Sequence, residues 1–170
     1  VRRDRLINEN PGHPDEIFWR LAQLEDAMLK ASRFNGLEYR VRYGLPDKTE
    51  VVQLEKMTRV ALEQSETIIR ELPGLLSESS KDSVLTDRLM AIRNNRLPYL
   101  RGMALVIAAD QGIMPSASSA RQEAIRLLGS DAMQLRPSER VNASRYLAEA
   151  HAGEQQLDVA SQILDRQLQA

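Results

Sequence analysis

Apolar residues return at steps of three and four along most of this chain, and that spacing constrains the fold more than any motif does. Ile17, Leu21, Leu24, Met28 and Ala31 form one such series, and Leu54, Met57, Ala61, Ile68 and Leu72 form a second. Later come Leu85, Leu89 and Ile92, and then Ala120, Ala124, Ile125 and Leu128. A helix of 3.6 residues per turn gathers these positions into a stripe that must be buried against a neighbour. Aromatic residues make up only 4% of the chain, while the good helix formers Leu, Ala, Arg, Glu and Gln are plentiful. The predicted class is all-α. Short connections between the stripes predict mostly antiparallel neighbouring helices, and a compact helical bundle is one way to pack them.

Local signals divide the chain further. Residues 1–14 form a polar lead, and a first helical half covers 15–76. Asp15 to Phe34 is predicted helical, with Asn35-Gly36 as its stop. Residues 37–43, LEYRVRY, alternate with period two; they either lie extended across the helices, the reading favoured by the bracketing Gly36 and Gly44-Leu-Pro46, or continue the helical path with Tyr39 and Tyr43 four apart. Asp47, three residues before Glu50, is a capping-box-like start for the longest helix, expected to end at Pro73-Gly74. The polar tract SESSKDS, 77–83, is the predicted loop between halves. Residues 84–170 read as helix pairs, and the whole chain as one continuous domain. Their helices are expected from Val84 to about Asn94-Asn95, Leu97 to Gln111, Pro115-Ser116 to Gly129, Pro137-Ser138 to Gly153, and Leu157 to Leu168.

Several function classes are disfavoured by residue type. The formal charge is −1, from 23 basic and 24 acidic residues, so no global field draws the chain to nucleic acid or an anionic membrane. Its longest apolar run, Met103 to Ala109, is far below the roughly 20 residues that span a bilayer. Membrane insertion is therefore not expected. Cysteine is absent, which removes thiol catalysis and zinc–thiolate sites. The two histidines, His13 and His151, stand apart from any metal-ligand spacing, and no nucleophile elbow, phosphate loop or zinc-protease motif occurs. No catalytic residue, metal or cofactor is assigned, and a non-enzymatic role is expected. The start at Val1, without an initiator Met or an apolar leader, suggests a piece of a longer chain and leaves the compartment open.

The last two helices carry a resemblance. Leu147, Ala148 and His151 on the first, with Leu157, Ala160 and Leu164 on the second, stand at the offsets of the small and large apolar positions of a tetratricopeptide repeat. The usual turn glycine of that repeat falls at Gln155 in this register. A looser copy overlies Met103, Ala104 and Ile107, then Ala124 and Leu128, with IMPSASSA as extra residues between its helices. Ala124 and Ala160 lie 36 residues apart, near the expected period of about 34. The resemblance covers about 75 residues and implies an α-solenoid whose first helices line a concave groove for a peptide or partner helix.

In that register the groove residues are Asn142, Arg145 and Glu149, with Arg101 and Leu105 as their counterparts one repeat earlier. The family's chaperone-tail binders clamp a terminal carboxylate with Lys and Asn; Lys is absent from both first helices here, so that specific activity is not implied. The expected function is a protein–protein interaction scaffold with a protein or peptide partner. A structural bundle that self-associates, with Trp19 pointing partly outwards as its interface, is the first alternative. The second is a nucleic-acid or enzymatic module using Arg88, Arg93, Arg96 and Arg101. A charged helix exterior is the simpler account of that arginine group.

Overall fold

The computed structural model describes residues 2–13, 15–35 and 48–169, and these are helical with no strand among them. The protein is all-α. The extended path expected for 37–43, the Gly36 stop and the Asp47 cap lie outside the described residues. Two compact units divide the chain, 1–93 and 94–170, so the boundary falls beyond the polar tract where a loop was expected.

The first unit is built on two long helices. Helix α1 covers Arg2–Glu9, inside what was expected to be a polar lead, and α2 covers Glu16–Asn35. Helix α3 runs Lys48–Glu78, a 3-10 turn follows at Ser79–Lys81, and α4 covers Ser83–Ala91. The core is the seam between α2 and α3, where Ile17, Leu24, Ala27, Met28 and Ala31 meet the face of Leu54, Ala61, Ile68 and Leu72. Small residues on both helices allow close approach. Two buried hydroxyls bond within their own helix, Thr58 Oγ1 to the Leu54 carbonyl at 2.8 Å and Ser65 Oγ to the Leu62 carbonyl at 2.7 Å. They therefore enter the seam without an unmet hydrogen bond.

Helix α3 does not stop at Pro73-Gly74. Proline removes one backbone donor, but Pro73 lies on the exposed side, where water can serve the Ile69 carbonyl that loses its partner. The chain beyond is anchored by buried Ser79, whose carbonyl accepts from Thr86 Oγ1 at 2.8 Å. Packing downstream outweighs the local stop signal. For the same reason most of 77–83 is helical, and Asp82 caps α4 by accepting from the Leu85 amide at 3.0 Å.

A π turn at Ile92–Arg96 contains the unit boundary. The second unit then holds α5 (Leu97–Asp110), α6 (Ala117–Leu128), α7 (Pro137–Gly153) and α8 (Leu157–Leu168). Helix α5 is buried on every face from Gly102 to Ala109, as expected of a helix with no polar stripe. It packs on α6 and α7, α6 packs on α7, and α7 on α8. Gly102 permits the first of these contacts, because a Cβ there would lie 2.6 Å from Leu128 Cγ.

Both α5 and α7 end in the same two-bond stop. After α5 the Ile113 amide donates to the Ala108 carbonyl and the Gly112 amide to Ala109, with Gly112 at φ +65°. After α7 the Gln156 amide donates to His151 and the Gln155 amide to Ala152, with Gln155 at φ 63°. Gln155 is the one non-glycine with positive φ among the described residues, and it occupies the turn position noted in the repeat register. A side chain in the left-handed region costs about 1 kcal/mol. Gln155→Gly is expected to raise the unfolding free energy by about 0.5–1 kcal/mol in urea titration, part of the gain being offset by unfolded-state entropy. A loss of stability would mean that the Gln155 side chain makes a contact outweighing its strain.

Candidate functional site

The residues that the sequence marks for binding part company in the structure. Leu105 is fully buried, so it packs the core and cannot reach a partner. The sequence did carry this signal, since a helix that is apolar all round is buried on every side. Arg101 is mostly covered and its Nε donates to Glu123 Oε1 at 2.8 Å, which ties α5 to α6. Asn142, Arg145 and Glu149 do share one face of α7, three and four residues apart.

That face is organised by residues arriving from the start of α5. Asn142 is exposed on α7 and hydrogen-bonds the side chain of Tyr99, a buried tyrosine near the start of α5. Burial raises the Tyr99 phenol above its ordinary value, against the pull of the Asn142 bond. Arg145 lays its guanidinium over the Tyr146 ring, 4.4 Å from the centroid, and its Nε lies 3.5 Å from Glu149 Oε1. Cation–π stacking and the one-turn ion pair hold this side chain flat while part of it stays accessible. Glu149 is about as exposed as an edge residue of such a face should be.

Glu139, at the first turn of α7, joins the two helices. Its Oε2 accepts from the Arg136 amide at 3.0 Å and its Oε1 from Arg96 Nη1 at 2.5 Å. Burial alone would raise this carboxyl; the Arg136 amide and the Arg96 guanidinium outweigh burial and hold it below its ordinary 4.5. A carboxylate lowered in the folded state contributes stability at pH above that ordinary value and loses it as pH falls through the lowered one. Stability of the native protein is therefore expected to fall more steeply than that of Glu139→Gln as pH drops below the ordinary 4.5. Equal acid limbs in urea titrations would show that the Arg96 pair adds nothing. Tyr99 and Glu139 were not singled out for binding by spacing; a Glu three residues into a helix does carry a capping signal, yet its pairing with Arg96 spans 43 positions.

The arginine group of the sequence dissolves across the unit boundary. Arg88 stacks on Phe18, 4.1 Å from the ring centroid, in the first unit, whereas Arg96 and Arg101 pair with carboxylates in the second. Arg96 and Arg101, already neutralised at short range, are poorly placed to track phosphates. Trp19 is half-buried with its ring stacked on His13, 4.8 Å between centroids. His151 Nδ1 lies 2.6 Å from Gln156 Oε1, a contact that closes the α7 stop. Among the described residues no helix is long and apolar enough to cross a membrane.

The second unit also leaves apolar surface uncovered. On α8, Leu157, Leu164 and Leu168 are 67%, 44% and 86% exposed, and at 3.6 residues per turn they fall within an arc of roughly 40°. Buried Ala160 marks the side packed on α7, and the leucine stripe flanks it. Leu164 thus does not fill the helix pair as its place in the repeat register suggests. No protein-family model, curated protein or solved structure matches this chain.

Proposed function

We propose that the chain is a non-enzymatic protein–protein interaction scaffold of the tetratricopeptide-like kind, whose second unit receives a peptide or partner helix. The observation that carries this is the exposed leucine stripe of α8. Leucines aligned on one helix face, beside a face already packed, are the surface that a further helix covers in a stack of helix pairs. The order of packing supports the same view, since the first helix of one pair, α5, also touches the first helix of the next, α7. So does the left-handed Gln155 at the turn between α7 and α8. Asn142, Arg145 and Glu149 on α7 supply orienting polar groups, with Arg145 held in place by Tyr146. Arg101 and Leu105 drop out of the binding surface.

Self-association is the second reading, because the same stripe fits a second copy of the chain. One set of variants separates the two. Capture from source-cell lysate is compared for the native chain, a Leu164→Glu, Leu168→Glu variant and an Arg145→Glu variant, with helicity checked by circular dichroism. A protein held by the native chain and lost with the α8 variant supports the scaffold; loss with Arg145→Glu as well places the α7 face in the same interface. A native mass in light scattering that doubles, and reverts in the α8 variant, favours self-association. Capture and mass unchanged in both variants would remove the proposal.

A further inference from the structure

The first unit contains a cleft of about 800 Å³ that the scaffold proposal does not use. Four segments converge on it: the turn after α1, the start of α2, the end of α3, and the 3-10 turn with the start of α4. Walls from several elements make this a half-open cleft rather than a trough along one helix, and the volume is in the range of small-molecule sites, roughly 300–1,000 Å³. Ile17 and Leu89, both buried, with half-buried Leu75 and Leu85, give it an apolar interior.

Its charge is one-sided. Four carboxylates, Glu16, Glu71, Glu78 and Asp82, line the cleft against the single ammonium of Lys81. Arg20 engages Glu16 at 3.0 Å and approaches Glu71 at 3.8 Å, while Asp82 is occupied on one oxygen by its capping bond. Glu78 is exposed and makes no ion pair among the described residues. The last turn of α3 carries no basic residue, and Lys81 in the 3-10 turn that continues it is the cation near the negative end of the helix dipole. The four carboxylates outnumber that one ammonium and favour a further cation.

Glycine is among the poorest residues for a helix interior, yet α3 carries Gly74 on the wall of the cleft. Packing does not require it, since a Cβ at Gly74 would meet no atom within 4 Å. What the missing side chain leaves is open space in the cleft.

We infer that this cleft binds a small amphipathic amine, its apolar body against Ile17, Leu75 and Leu85 and its ammonium toward Glu71, Glu78 and Asp82. The site is separate from the scaffold surface and stands or falls without it. The probe pair is 3-phenylpropylammonium and 3-phenylpropanoate, which share a body and differ in charge, each titrated into the whole chain and followed by backbone amide shifts and the Trp19 indole. Amides of Gly12, Gly74 and Leu85 are expected to shift, with the cation saturating at a concentration at least about tenfold lower than the anion. Trp19 reports because its partner His13 lines the cleft. Gly74→Leu, which fills the space without backbone strain, is expected to abolish both sets of shifts at unchanged helicity. Glu71→Gln with Glu78→Gln is expected to weaken the cation alone. Equal saturation by both probes, no shift with either, or undiminished binding to Gly74→Leu overturns the inference. A Leu/Lys helical peptide that shifts the same amides at far lower concentration also overturns it, in favour of a partner's lysine as the occupant.

Discussion

Leu105→Ala is expected to lower the unfolding free energy by about 2–5 kcal/mol, a large part of what a domain of this size possesses. Leu105 has no exposed surface and sits in the run of α5 where Gly102 through Ala109 are all buried. Truncation removes buried methyl groups and leaves a cavity. Urea titration followed by circular dichroism measures the loss. A loss under about 1 kcal/mol would return Leu105 to the surface, where its place in the repeat register had it.

Gly102→Val is expected to cost about 1–3 kcal/mol for the opposite reason, too much volume where α5 meets α6. The Leu128 side chain occupies the space into which a Cβ would project, with Cγ at 2.6 Å and Cδ2 at 2.8 Å. Crowding reaches Leu128 Cγ as well as its methyl ends, so a simple rotation of the tip gives no relief, and the helices must part. The double variant Gly102→Val, Leu128→Ala tests the mechanism. Its loss should be clearly smaller than the sum of the two single losses, since each change supplies what the other lacks. Additive losses would place the cost of Gly102→Val in the backbone rather than in this contact.

Helices were legible where periodicity and stop signals agreed. The span Leu157–Leu168 is found as read, and α6 and α7 begin and end within a residue or two of the serine, proline and glycine signals that mark them. Local signals failed where tertiary packing overruled them. Pro73-Gly74 is a strong stop, but Ser79 and Thr86 hold the chain on its far side and the helix continues. Helix α1 carries too short an apolar pattern to be seen, with Ile7 its one buried apolar residue among those described. On the candidate face, Asn142, Arg145 and Glu149 were legible because one helix places them at fixed spacing. Tyr99 reaches Asn142, and Arg96 reaches Glu139, only through the packing of α5 on α7, and no rule of spacing along the chain encodes that. Leu105 was misread because its place in the repeat register was weighed above the all-round apolar pattern of α5, which by itself implies burial.

In the second unit each helix packs on the one before it, α6 on α5, α7 on α6 and α8 on α7. A chain so wired closes only short loops as it folds, which keeps the entropic barrier low. During synthesis each helix leaving the ribosome meets a partner that has already emerged, and none has to wait for a distant segment. Helix α5 is the exception in one respect: its apolar sides stay wet until both α6 and α7 have appeared, so the interval between the completion of α5 and the arrival of α7 is when the nascent unit is most open to aggregation or to capture by a chaperone.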